Sequence, residues 1–206
     1  MKEEAAILHL SKDDCLARLI QCTSVQSLLP SGKVYFELLE SIVSQQLSVR
    51  AAATIFSRFC ALFPDNYPAP EVLVAVKQEQ LRAAGLSNQK ANYLKNVAAF
   101  ALENNLDKIP WQNYSDIEII NLLTQIKGVG RWTTEMILIF TLGRPDVFPI
   151  DDLGIQQGMI KLYGLPDTGK ALRLRMQELS EPWQPYRSTA SRYLWRWKDQ
   201  IQEPID

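Results

Sequence analysis

The residues best suited to chemistry lie in one stretch, from Leu123 to Gln157. A glycine hairpin, Gly128-Val129-Gly130, sits between Lys127 and Arg131, and Trp132 follows at once. Further on, the paired carboxylates Asp151-Asp152 come after Phe148-Pro149-Ile150. A glycine turn leading into a helix can hold an anion, because no Cβ blocks its approach and the free N–H groups and positive dipole end face it. Lys127 and Arg131 add two local cations. An electron-rich indole face suits a delocalised cation. A carboxylate at a helix start can stabilise a developing positive charge or orient a water molecule. Each feature also has a plain structural reading: an αα turn, a core tryptophan, a helix N-cap.

Other chemistries find little material. The 206 residues hold one histidine, His9, so a His-centred triad or a multi-His metal site is not available. Cys15, Cys22 and Cys60 all lie in the first third without a CxxC, which supports neither a disulfide framework nor a thiolate cluster. Net charge is −1 and the pI about 5.9, which argues against a generically basic nucleic-acid coat. Backbone amides and a few cations could still hold phosphate. MKEEAAILHL is unlike a signal peptide, and no apolar run is long enough to span a membrane. The expectation is a soluble intracellular protein with no membrane partner.

The elements that must position these groups read as helices. Ser11-Lys12-Asp13-Asp14 has the form of a capping box before Leu16, Leu19 and Ile20. Leu28-Leu29-Pro30-Ser31-Gly32 is a break. Helical periodicity runs from Tyr35 to Val43 and from Ala51 to Phe59, with the polar tip Gln45-Gln46-Leu47 between them. Short helices are predicted over 72–76 and 78–84, and a longer one after Ser87, whose Lys90 and Tyr93 read as solvent-facing. Ser115-Asp116-Ile117-Glu118 is a second capping box, opening 119–126. An apolar helix is predicted from Trp132 to Leu142, and further helices from Asp151 or Asp152 to Leu162, from Thr168 to Leu179 and from Tyr186 to Ile201. No convincing strand pattern occurs, so the expected class is all-α with about ten short helices.

Taken together, Ile126-Lys127-Gly128-Val129-Gly130-Arg131-Trp132-Thr133, an apolar helix and Phe148-Pro149-Ile150-Asp151-Asp152 resemble the helix-hairpin-helix DNA glycosylase superfamily, in particular its DNA-3-methyladenine glycosylase II branch. The resemblance extends back to Ile42–Ser48 and forward to Trp183-Gln184-Pro185-Tyr186-Arg187-Ser188, or roughly residues 35 to 198.

The resemblance implies a monofunctional glycosylase that flips an N-alkylated purine such as 3-methyladenine out of double-stranded DNA and hydrolyses its N-glycosidic bond, in base excision repair. It assigns catalysis to Asp152 and leaves helix capping to Asp151. It places Trp132, Trp195 and Tyr186 in the base pocket, with Trp183 in support, while Trp111 and Trp197 stay core residues. Gln46 and Leu47 take the position of the strand-inserting loop. Lys127, Gly128, Val129, Gly130 and Arg131 hold the DNA backbone. The carbonyls of Thr124, Ile126 and Val129 match positions that bind Na+ or K+ in related hairpins, and no other cofactor is required. Relatives that also nick the strand carry Lys directly after the hairpin Arg; Trp132 stands there, so no AP-lyase activity is implied. No Cys follows Cys60, so the iron–sulfur cluster of some branches cannot be built.

The fold so implied is two helical lobes with an interlobe cleft: residues 34–148 with the hairpin at 127–131, and residues 1–33 plus 149–206. A monomer is expected, cytoplasmic at the nucleoid if bacterial and nuclear if eukaryotic. The alternatives are a glycosylase for a deaminated or oxidised base, a non-catalytic helix-hairpin-helix DNA-binding protein, and a plain all-α scaffold.

Overall fold

Twelve α-helices, with short 3-10 and π-helical turns, make up the regular structure of residues 2–202, the residues that the computed structural model describes, and no strand occurs among them. In chain order these are α1 (Lys2–Leu10), α2 (Asp14–Cys22), α3 (Val34–Ser44), α4 (Val49–Cys60), α5 (Pro70–Ala75), α6 (Gln78–Ala83), α7 (Asn88–Asn104), α8 (Asp116–Leu123), α9 (Arg131–Met136), α10 (Leu153–Tyr163), α11 (Gly169–Ser180) and α12 (Arg187–Gln202). The all-α expectation holds. Among the described residues no helix is long and apolar enough to cross a membrane. The chain forms two compact units: Pro30–Leu142, and a unit built from both terminal segments, up to Leu29 and from Gly143.

In the Pro30–Leu142 unit, α7 packs on α3, α5 and α6. Leu38, Leu39, Ile42 and Val43 of α3 and Leu94, Val97 and Ala98 of α7 are all fully buried. Their three- and four-residue spacing gives each helix one apolar stripe. Serine caps start the helices: Ser48 accepts from Ala51 N–H, Ser87 from Lys90 N–H and Ser115 from Glu118 N–H. The Ser115 box is complete, since Glu118 accepts the Ser115 N–H in return at 2.7 Å. Buried Tyr35 donates to the Pro68 carbonyl at 2.6 Å, tying the loop before α5 to α3. α9 continues as a π-helical turn over Ile137–Thr141, so the predicted single helix from Trp132 changes pitch midway.

In the terminal unit, α12 packs on α10, α2 and α1, and α1 packs on α2. Leu10, Leu16, Leu19, Ile155, Met159, Met176 and Leu194 form the core. Asp13, not Ser11, caps α2. One Asp13 oxygen accepts the Cys15 and Leu16 N–H groups at 2.9 and 3.0 Å. The other accepts from the Tyr163 hydroxyl at 2.8 Å and the Trp183 indole at 3.2 Å. Ser11 is drawn backward instead, donating to the Ile7 carbonyl at 2.7 Å, because α1 ends there. The sequence reading does not include α1, whose apolar residues Ala5 to Leu8 and Leu10 run almost consecutively and form no one-sided stripe.

Candidate active site

Asp152 is the N-cap of α10: its Oδ1 accepts the Ile155 N–H at 2.8 Å. The same oxygen accepts the Trp195 indole N–H at 2.7 Å. A bond from a neutral donor to a carboxylate is charge-assisted and shorter than average. Two donors from α10 and α12 therefore set the rotamer of this carboxylate, which is half-buried. The expectation that Asp151 caps the helix is wrong. Asp151 is exposed and pairs with Arg173 at 2.6 Å, because its position one residue early points it away from the first turn of α10.

Gly154 makes this arrangement sterically possible. A Cβ there would lie 3.0 Å from Asp152 Oδ1, 3.0 Å from Trp195 Cδ1 and 3.3 Å from Trp195 Nε1. The indole lies over α10 where the missing side chain would be. An isolated glycine inside a helical pattern is a sequence signal for such close approach, but only the structure says what approaches. Leu153, between Asp152 and Gly154, is an apolar side chain left 66% exposed.

The link before Asp152 is bolted to the start of α12. Arg187 donates two bonds to the Asp146 carboxylate, at 2.7 and 2.8 Å. Ser188 donates to the Arg144 carbonyl at 2.6 Å and accepts the Val147 N–H at 2.9 Å. Phe148 meets Trp183 edge-on, centroids 5.6 Å apart, and Asp152 N–H closes a turn on the Pro149 carbonyl at 3.0 Å. The stretch from Trp183 to Ser188 thus has a structural purpose that its sequence did not disclose.

Trp183 does not belong to a pocket. It is 1% exposed, and its indole is spent on Asp13 in the core. Tyr186 is half-buried, with its ring edge-on to His9 at 5.3 Å. Trp111 is buried, as expected of a core residue, and Trp197 is half-buried with Lys161 Nζ 6.0 Å from its ring centroid.

In the other unit, Gly128 has φ +108, and Tyr93 of α7 lies flat against it. A Cβ there would meet Tyr93 Cγ at 2.3 Å, so both conformation and packing demand glycine. Gly130 differs: it is the N-cap of α9 at φ −96, and a Cβ would meet nothing within 4 Å. Space is open before the first turn of α9. Val129 is buried, and its N–H is taken by the Ile126 carbonyl at 2.9 Å, so that amide cannot serve as an anion donor. Lys127 is exposed, and Arg131 Nε pairs with the buried Glu135 at 2.9 Å. Trp132 is 43% exposed, too open for a core residue.

Gln46 and Leu47 are exposed at the tip between α3 and α4. Gln46 adopts φ 58, a left-handed conformation that costs a non-glycine residue about 1 kcal/mol or more and that clusters at functional turns. The expectation that Lys90 and Tyr93 face solvent is wrong: Lys90 Nζ donates to the carbonyls of Val43 and Gln45, both at 2.7 Å. Burial holds its amine below the usual lysine range.

The Thr124, Ile126 and Val129 carbonyls follow the C-terminal end of α8, where the helix dipole favours a cation. Ile126 O keeps one lone pair after accepting from Val129. Carbonyl oxygens are the ligand type that a hard cation takes.

Comparison with known proteins gives one consistent picture. A family model described as HhH-GPD superfamily base excision DNA repair protein matches residues 39–185. DNA-3-methyladenine glycosylase 1 of Schizosaccharomyces pombe is 40% identical over 164 residues, covering 79% of this chain and 71% of that protein. The putative DNA-3-methyladenine glycosylase YfjP of Bacillus subtilis is 32% identical over 194 residues, covering 91% and 67%. The solved structure of the S. pombe 3-methyladenine DNA glycosylase Mag1 in complex with abasic DNA superposes with a TM-score of 0.80 at 36% identity, covering 93% of this chain and 95% of that one.

Proposed function

The chain belongs to the HhH-GPD superfamily of base excision DNA repair proteins, and on that footing we propose that it is a monofunctional DNA-3-methyladenine glycosylase, releasing N-alkylated purines from duplex DNA by hydrolysis and leaving the strand uncut. Relatives 40% and 32% identical that are named for this activity support it. The observation that carries the chemistry is Asp152, one carboxylate oxygen held by a backbone N–H and an indole N–H at the start of α10.

An N-alkylated purine is already cationic and leaves readily. When the C1′–N bond breaks, the electron pair departs with the base, and the sugar becomes oxocarbenium-like. A fixed carboxylate stabilises that charge without reorganising. Water then adds its oxygen to C1′ and gives up a proton, for which Asp152 is the acceptor in this reading. Trp132, Trp195 and Tyr186 supply aromatic faces for the cationic base. Gln46 and Leu47 fill the gap that extrusion leaves. Lys127, Gly128, Gly130 and Arg131 hold the backbone phosphate, with Val129 packing the hairpin from below. Na+ or K+ on the Thr124, Ile126 and Val129 carbonyls would brace the turn. With Trp132 where a nicking relative has Lys, no side chain directly after Arg131 can attack the sugar. The enzyme works as an intracellular monomer in this reading.

The test is mass identification of bases released from methylated duplex DNA, against uracil- and 8-oxoguanine-bearing duplexes, with Asp152→Asn alongside. The wild type should release alkylpurines. Asp152→Asn should bind duplex and retain its helix cap, since Asn caps as well as Asp, but lose about 10²-fold or more in release rate. Near-wild-type release by Asp152→Asn would overturn the assignment, and release of uracil or 8-oxoguanine alone would replace the substrate.

A further inference from the structure

One face of α7 supports both elements of its unit to which DNA roles are assigned. Lys90 holds the Val43 and Gln45 carbonyls at the end of α3, each at 2.7 Å. These carbonyls lead directly into the turn that carries Gln46 at φ 58 and closes with the Leu47 N–H on the Ser44 carbonyl at 3.2 Å. A helix C-terminus favours a cation, and an ammonium group can satisfy two carbonyls at once. One helical turn further on, the Tyr93 ring occupies the Cβ position that Gly128 leaves vacant. The Tyr93 hydroxyl accepts from Gln89 Nε2 at 2.6 Å, which steadies the ring. After another turn, Asn96 Nδ2 donates to the Lys127 carbonyl at 3.1 Å. Residues 90, 93 and 96 follow one another at helix-neighbour spacing over about 9 Å of axis.

We propose that Lys90, Tyr93 and Asn96 form a positioning ridge that sets the distance between the strand-inserting turn and the phosphate-binding hairpin, and that Lys90 governs base extrusion through Leu47 rather than by contact with phosphate. This rests on the glycosylase reading above. None of the three side chains needs to touch DNA. The ridge converts a helix, which is stiff along its axis, into a gauge between two loops that would otherwise move independently.

The experiment is a double-mutant cycle on the full chain with Lys90→Met, Leu47→Ala and the pair. It measures single-turnover base release from methylated duplex and the salt dependence of binding to undamaged duplex. Lys90→Met keeps the aliphatic stem and removes the donor. Each single variant should slow release about tenfold, and the pair should be no slower than Leu47→Ala, because a misplaced wedge and an absent one cost the same. Lys90→Arg should recover part of the rate. The slope of log affinity against log salt should be unchanged by Lys90→Met. Multiplying losses in the pair, or a slope smaller by about 0.9, would overturn the ridge and make Lys90 an independent or phosphate-contacting residue. If Lys90→Met does not fold, Lys90→Gln, whose shorter neutral amide cannot hold both carbonyls, carries the same cycle. A wild type that neither releases bases nor binds duplex would sink the glycosylase reading and the ridge with it; an active wild type with an additive cycle would sink the ridge alone.

Discussion

Gly154→Ala should cost this protein both release rate and stability, through one hydrogen bond. The new methyl would lie 3.0 Å from Asp152 Oδ1 and 3.0 Å from Trp195 Cδ1. Carbon contacts normally begin at about 3.5 Å, so the indole or the carboxylate must retreat by roughly half an ångström. Either retreat stretches the 2.7 Å bond between Trp195 and Asp152. A hydrogen bond to a charged group contributes about 1.5–3 kcal/mol. Losing most of that restraint on the reacting carboxylate should slow release between about tenfold and hundredfold, at ~1.4 kcal/mol per decade. The fold should lose about 1–2 kcal/mol, because the weakened bond costs stability as well and alanine's gain of about 0.5–1 kcal/mol over glycine within a helix offsets only part of it. The assay is single-turnover release from methylated duplex, beside thermal melting and duplex affinity. Trp195→Phe should show the same rate loss without the added methyl, and the double variant should be no worse than Trp195→Phe. Wild-type release by a folded Gly154→Ala protein, or a double variant whose losses multiply, would refute the reasoning.

Gly128→Ala should instead destabilise, by about 1–3 kcal/mol, since it combines a left-handed φ with a 2.3 Å clash against Tyr93; a lowered melting temperature checks this, and Tyr93→Ala in the same chain should relieve part of the loss. Glu118 is held below its ordinary value of 4.5, first by the Ser115 hydroxyl and then by the Ser115 backbone N–H. Its contribution to stability is present above that value and is lost as pH falls through the lower folded one, so Ser115→Ala should flatten this part of the acid limb of a melting-temperature profile. Borohydride added during turnover should trap no covalent protein–DNA adduct, because Trp132 cannot form a Schiff base; a trapped adduct would mean that another amine attacks the sugar.

Much of the local architecture was legible in residue order. The Ser87 and Ser115 caps, the apolar stripes of α3 and α7 and the hairpin turn at Gly128 each depend on neighbours within one or two helical turns. The resemblance that singled out Asp152 was legible there too, from motifs spread along the chain, and the family match over residues 39–185 agrees with that resemblance. Periodicity cannot name a partner far along the chain. Trp195 and Asp152 are separated by 43 residues, and Lys90 and Val43 by 47. A lysine and a tyrosine on a polar helix face looked solvated because what they meet lies far along the chain; the carbonyls that accept from Lys90 and the glycine on which Tyr93 packs arrive only when α3 and the hairpin fold against α7. Asp151 and Asp152 are chemically identical in sequence, and only the direction in which α10 starts decides which one caps it. Residue order thus determined most of the helices and pointed to the class of chemistry. Tertiary packing decided which carboxylate is held, which tryptophan holds it and why the residue between them is glycine, because those choices depend on contacts that exist only once distant helices have met.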